Sequence, residues 1–302
     1  MTNSMKKYRV FWPIVFLAPF VIFFLAFNLF PILYSFYMST LNWAGYNEKI
    51  FVGLKNFVDI LTKDKVFWKS VLNTLRIGLV GFPIALVLGL IFAAVLSNIT
   101  RLKNTLQTIN FLPYITTPVA IGMIFTFIFE KHIGILNKLI VSLGGSAVNF
   151  IGSPKYAPYV IALMIIWRNT GYFMTMYLAG ITSISEDLYE AARIDGASSV
   201  QSFFKITLPL LKPVTIFLSI TSIIYMFQMF DEANLLFTNQ TSATVGGPSQ
   251  SCLTIVWNFY NQAFGSNPRM GYASAMACVL FVIIAVVSII GLRLMNGKED
   301  EI

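Results

Sequence analysis

The sequence predicts an all-α integral membrane protein: six transmembrane helices and one short charged segment between the fourth and the fifth. Three observations predict it. The chain of 302 residues is 57% hydrophobic and only 11% charged, where a soluble domain carries about 25% charged residues. Apolar runs recur at close to the ~20 residues needed to cross a ~30 Å hydrocarbon core. One interval, 185–209, breaks that pattern with Glu186, Asp187, Glu190, Arg193, Asp195 and Lys205. We read residues 1–302 as a single transmembrane domain with spans at 12–38, 70–97, 108–129, 157–180, 210–230 and 273–294.

The remaining composition excludes several classes. A net charge of +8 would suit nucleic acid, but basic residues also flank and orient membrane spans. No Lys/Arg run with interleaved aromatics occurs, so no nucleic-acid partner is expected. Cys252 falls in a polar loop and Cys278 in an apolar span, so a disulfide between them is not expected. With His132 the single histidine, no metal set, catalytic dyad or cofactor is expected in this chain.

Taken in order, the first span follows Lys6, Lys7 and Arg9. It imitates a signal peptide but is too long and lacks a small-residue cleavage site. Its Pro13, Pro19, Asn28 and Pro31 imply either kinks or backbone groups satisfied inside a bundle. Trp43-Ala44-Gly45 reads as an external turn, and 58–69 as an interfacial helix anchored by Phe67 and Trp68. The second span carries Gly78, Gly81 and Gly89, small residues that let helices approach closely. The third opens with Phe111-Leu112-Pro113-Tyr114 and Thr116-Thr117-Pro118, a polar, kinked start that either lines a pathway or bonds its own helix.

The fourth span holds Trp167-Arg168-Asn169-Thr170-Gly171-Tyr172. Arg168 lies ~16 Å from the span's outer end at 1.5 Å per residue, near the midplane. An arginine there costs roughly 2.5–3.5 kcal/mol on insertion scales, so it should face a wet cavity or a paired group. A pathway role and a purely structural role both fit. In the fifth span and just beyond, Tyr225, Gln228 and Asn234 supply the ring faces and amides of a sugar site; an aromatic belt at the outer interface fits equally. The last span carries Ala275, Ala277 and Gly291 for close packing.

An even number of spans puts both termini on one side. With the amino terminus inside, Lys and Arg tie at ten inside and ten outside, Arg168 aside. The inside segments are shorter, so their basic density is higher, which makes both termini cytoplasmic.

Segment 185–209 reads as two short helices. Ser185 is placed to cap the first, Glu186 and Asp187 suit its dipole, Gly196 stops it, and Ser198 with Gln201 forms a capping box for the second. Glu190-Ala191-Ala192, Gly196 and Ile206-x-Leu208-Pro209 resemble the EAA motif of permease subunits of binding-protein-dependent ABC importers. Phe51-Val52-Gly53-Leu54-Lys55-Asn56-Phe57, Gly246-Gly247-Pro248 and Gly271-Tyr272-Ala273-Ser274-Ala275 are similar to phrases of the sugar permeases in that class, of maltose, multiple-sugar and glycerol-phosphate type. The resemblance implies that the segment is a coupling helix gripping an ATPase, through Glu190, Ala191, Ala192, Arg193, Asp195, Gly196, Leu208 and Pro209. It further implies a second permease subunit, two ATP-binding subunits, an extracellular solute-binding protein, a sugar substrate and alternating access in a bacterial or archaeal cell membrane. The substrate pathway is expected at Trp167, Arg168, Asn169, Tyr172, Tyr225, Gln228 and Asn234.

Other readings are weaker. An ion-coupled carrier wants an inverted repeat and intramembrane carboxylates; no repeat is visible and no Asp or Glu falls deep in a span. An intramembrane enzyme needs a catalytic set at membrane depth, which is missing. A non-transporting scaffold leaves the coupling motif without a reason. No Gly-x-x-x-x-Gly-Lys-Ser/Thr loop occurs, since Gly297-Lys298 has no Ser or Thr after it, so ATP hydrolysis belongs on a separate chain.

Overall fold

Prolines and polar pairs decide where the helices of this chain bend and stop. A computed structural model describes residues 3–99, 101–238 and 244–296; the side chains of residues 3–12, 14 and 294–296 lie outside the description, as does Lys298. Lys6, Lys7 and Arg9 therefore contribute backbone only.

Helix α1 (Asn3–Phe24) runs through a π-helical turn (Leu25–Leu29) into α2 (Phe30–Ser39). The Phe30 N–H reaches back to the Leu25 carbonyl, just ahead of Pro31, which has no N–H to give. Asn28 sits in that turn. Strands β1 (Leu41–Asn42) and β2 (Ile50–Phe51) pair antiparallel. Helix α3 (Lys55–Thr62) precedes α4 (Lys65–Ser97). The expected interfacial helix over 58–69 is therefore broken: the Lys63 and Asp64 N–H groups both return to the Asp59 carbonyl. Phe67 is fully buried, not an interfacial anchor; Trp68 is exposed.

Helices α5 (Lys103–Ile115) and α6 (Pro118–Phe129) meet at 94°, so 108–129 is not one straight span. Thr116 and Thr117 are extended, with ψ of 141° and 138°; Pro118 disfavours helical backbone at the residue before it. Helix α7 (Ile135–Ser142) leads to α8 (Ala157–Thr182) and then α9 (Glu186–Ile194). Helix α10 (Ser199–Ser202) passes through a second π-helical turn (Phe203–Thr207) into α11 (Leu208–Leu210). A 62° bend separates this run from α12 (Lys212–Phe227). The fifth apolar run thus ends at Phe227, not 230, and α13 (Asp231–Thr238) is a separate helix. Helices α14 (Ile255–Phe264) and α15 (Met270–Asn296) complete the chain.

Val15–Ser39, Lys65–Ser97 and Met270–Arg293 are long and apolar enough to cross a membrane, and the α5–α6 and α10–α12 runs pass together as bent pairs. At 26 residues, α8 is long enough but is not among them, because Trp167-Arg168-Asn169-Thr170 dilutes its middle. The chain is a multi-pass helical membrane protein.

The chain divides into two compact units. The first comprises residues 1–64 and 259–281. In it, the buried Asn56 amide donates to the Ser39 and Leu41 carbonyls at 2.9 Å each, tying α3 to the turn after α2. The Tyr272 hydroxyl donates to Asp64 at 2.7 Å, and Phe36 meets Phe281 edge-on.

The second unit comprises residues 65–258 and 282–302. Its core is the α4–α8 pair, with Ile161, Met164, Ile165, Phe173 and Met174 buried. Gly81 faces Ile165, and a Cβ at Gly89 would lie 2.6 Å from that of Phe173. Small residues here replace water exclusion as the basis of association. The start of α4 clamps the loop before α14. Lys69 donates to Ser249 O, Asn73 to Gln250 O and Leu253 O, and Thr74 Oγ1 accepts from Ile255 N.

Candidate functional site

The polar dilution of α8 opens onto a cavity of about 400 Å³ within the second unit, inside the ~300–1,000 Å³ range of small-molecule sites. Arg168 projects from mid-α8 and meets Glu232 of α13 at 2.6 Å; their side chains keep 24% and 15% of their surface exposed. An ion pair this withdrawn lowers the cost of a charge at membrane depth. Among the described residues Arg168 Nε is buried without a hydrogen-bond partner, so the guanidinium is only partly satisfied by its carboxylate.

Gly171 lets α5 approach. A Cβ there would lie 1.8 Å from the Asn110 carbonyl oxygen. This closeness sets Tyr114 of α5 against Tyr172 of α8, with ring centroids 4.6 Å apart and planes 14° from parallel. Asn169 donates to the Ile165 carbonyl one turn back. Tyr225 and Gln228, at the end of α12, are exposed on the wall.

Of the residues the sequence singled out for a pathway, Arg168, Asn169, Tyr172, Tyr225 and Gln228 come together here. Trp167 points elsewhere, against Phe125 at 5.7 Å. Asn234 sits one turn into α13, bonded by Thr238, and does not line the cavity. The sequence reading did not single out Glu232, and it named Tyr114 only within the polar, kinked opening of the third span. A buried arginine demands a counter-charge, and Asp231-Glu232 directly follows the fifth apolar run, so the signal existed; only the folded chain brings residues 64 apart into contact.

The second candidate site is the charged segment. Ser185 occupies the N-cap of α9 without capping it; its hydroxyl donates to Asp187 at 3.2 Å instead. Glu186 and Asp187 in the first turn and Arg193 in the last complement the helix dipole. Gly196 has φ +79°, and its N–H bonds Arg193 O while Ala197 N–H bonds Ala192 O, a complete Schellman ending. Ser198 and Gln201 exchange both bonds of a capping box. The Tyr189 hydroxyl meets Thr207 Oγ1 at 2.9 Å, joining α9 to the π-helical turn. Glu190, Ala191, Arg193, Asp195, Gly196 and Pro209 are exposed; Ala192 and Leu208 are half-buried. Leu188, Ile194, Val200 and Phe204 are exposed around them, so the segment presents a mixed apolar and charged face. Outside the spans, burial pushes the Cys252 thiol up to about 12.

Helices of membrane-crossing length, a lined cavity within the second unit and an exposed helix–glycine–helix elbow are the architecture of a polytopic membrane protein with an internal site. The model of the family "Binding-protein-dependent transport system inner membrane component" matches residues 85–296. The arabinooligosaccharides transport system permease protein AraP of Bacillus subtilis is 34% identical, over 96% of this chain and 90% of that protein. The lactose transport system permease protein LacF of Rhizobium radiobacter is 36% identical, over 95% and 94%. The chain belongs to this family of transport permeases. A solved bacterial alginate ABC transporter, in complex with an alginate pentasaccharide-bound periplasmic protein, contains a chain of the same fold. The two superpose with a TM-score of 0.84 at 22% identity, covering 97% of this chain and 96% of that one.

Proposed function

We propose that this chain is one permease subunit of an ATP-driven importer that moves a sugar or oligosaccharide across a bacterial or archaeal cell membrane by alternating access. The observation that carries the sugar assignment is the stacked Tyr114–Tyr172 pair beside Arg168, Asn169 and Gln228 in one cavity. Ring faces suit the C–H surfaces of a pyranose, and amides suit its hydroxyls. The six spans are then α1–α2, α4, α5–α6, α8, α12 and α15, with both termini and the α9–α11 elbow cytoplasmic.

In this reading the elbow docks into an ATPase subunit supplied by another chain. Ala191 and Ala192 allow close approach, while Glu190, Arg193 and Asp195 fix register. A second permease subunit and an external solute-binding protein, which delivers the substrate, complete the assembly. ATP-driven closure of two ATPase subunits moves the elbow, and the elbow moves α12 through the π-helical turn. Support comes from the named functions of the relatives and from the solved complex that shares the fold.

The test is uptake of labelled oligosaccharides by cells carrying the complete transporter, with the ATPase intact or inactivated. Uptake that requires hydrolysis is expected; uptake undiminished by an inactive ATPase overturns the reading.

A further inference from the structure

Resting on that reading, we infer that the cavity selects uncharged saccharides and turns away anionic ones, with Glu232 as the specificity-determining residue. The relatives leave this open: their named substrates include arabinooligosaccharides and lactose, and two chains of matching fold come from importers of the acidic polysaccharide alginate. The cavity itself is more decisive. Its charged lining residues are Arg168, Asp231 and Glu232. Arg168 is the one group there that would greet a carboxylate or sulfonate, and Glu232 already holds it at 2.6 Å. Asp231, exposed beside it, leaves the wall with one negative charge in excess.

An anionic sugar reaching for the guanidinium would lie beside the carboxylates of Asp231 and Glu232, and would have to displace Glu232 to take the Nη1 edge it holds. A neutral sugar needs neither. Its rings rest on the Tyr114–Tyr172 stack, and its hydroxyls donate to carboxylate oxygens and exchange bonds with Gln228. Glu232 sits on α13, held close to α6 where a Cβ at Gly122 would lie 2.9 Å from Leu235, so the carboxylate is fixed in place rather than carried on a loose chain. The ion pair therefore acts as an internal counter-anion that occupies the site an acidic substrate would need.

The test uses the assembled transporter in nanodiscs with Gln228→Cys as reporter, since Cys252 and Cys278 are buried. Labelling rates with a cationic and an anionic methanethiosulfonate are each normalised to a free thiol in solution. We expect the cationic reagent to be favoured about tenfold, and the preference to fall to near unity when Glu232→Gln is added. The charge swap Arg168→Glu/Glu232→Arg keeps the preference and controls for misfolding. No preference in the reporter protein, or one unchanged by Glu232→Gln, overturns the inference. In a second arm, maltotriose should slow labelling by an uncharged reagent, and trigalacturonate should do so only in the Glu232→Gln background. Protection of the reporter protein by trigalacturonate overturns the inference. If neither saccharide protects while the reagent preference stands, the saccharide reading beneath it falls and the charge assignment survives.

Discussion

Replacing Gly171 by alanine should separate α5 from α8 and disorder the cavity wall. The added Cβ would lie 1.8 Å from the Asn110 carbonyl oxygen and 2.5 Å from its carbon. Ordinary contact begins near 3.4 Å, so one helix must retreat by about 1.5 Å at the crossing. The obstacle is backbone, which no rotamer change relieves. Overpacking costs typically 1–3 kcal/mol, and a backbone clash places this site at the upper end, near ~3 kcal/mol. At about 2.1 cal/mol/K of unfolding entropy per residue, a chain of this size would melt about 5 °C lower. The assay is the folded fraction of the transporter after a heat step, read by size-exclusion chromatography. Gly291→Ala is the control, because among the described residues its Cβ would meet only Ile223, at 4.0 Å, and its midpoint should stay within about 1 °C. Uptake should fall further than stability at the working temperature explains, because the retreat of α5 pulls Tyr114 off Tyr172. A Gly171→Ala midpoint equal to that of Gly291→Ala would refute the packing argument.

Three further outcomes follow from the same structure. Gly196→Leu forces a branched side chain into φ +79°, at a cost of roughly 1–2 kcal/mol; we expect normal membrane insertion with uptake lost and ATP hydrolysis retained, and retained uptake would count against the elbow as the coupling element. Tyr189→Phe removes the bond to Thr207, worth about 1 kcal/mol; it should lower the ratio of sugar moved to ATP hydrolysed without changing the amount of transporter in the membrane. The native protein should take up no aqueous maleimide at pH 7. Burial holds the Cys252 thiol up to about 12, so it stays protonated and enclosed there, and raising the pH to 9 should still give no labelling of the folded protein.

The exposed elbow was legible in detail because its instructions are local. The helix ending at Gly196 and the Ser198–Gln201 exchange depend on residues three to five apart. Ser185 shows the limit: the residue type and position suit a cap, but the neighbouring Asp187 captures the hydroxyl. The break at Thr116–Thr117 was half legible. Pro113 and Pro118 announced a kink, yet apolar length alone argued for one continuous span. The cavity was legible on its α8 and α12 walls, where polar residues interrupt apolar runs. At Glu232 the cue was incomplete: counting charges span by span placed that carboxylate outside the membrane, whereas α13 is its own helix and carries it to Arg168. Trp167 shared the polar run of its neighbours but faces another side of α8, a distinction set by helix rotation against Phe125 and not by sequence proximity.

The elbow also has a kinetic consequence. Its Schellman ending and capping box close both helix junctions from within, and the Tyr189–Thr207 contact pins it to the helix that follows. Freezing a residue's backbone costs roughly 1–2 kcal/mol, and here that entropy has been surrendered during folding, before any partner arrives. A landing protein therefore meets a preformed shape, and substitutions on its exposed face should change how long the partner stays far more than how quickly it arrives.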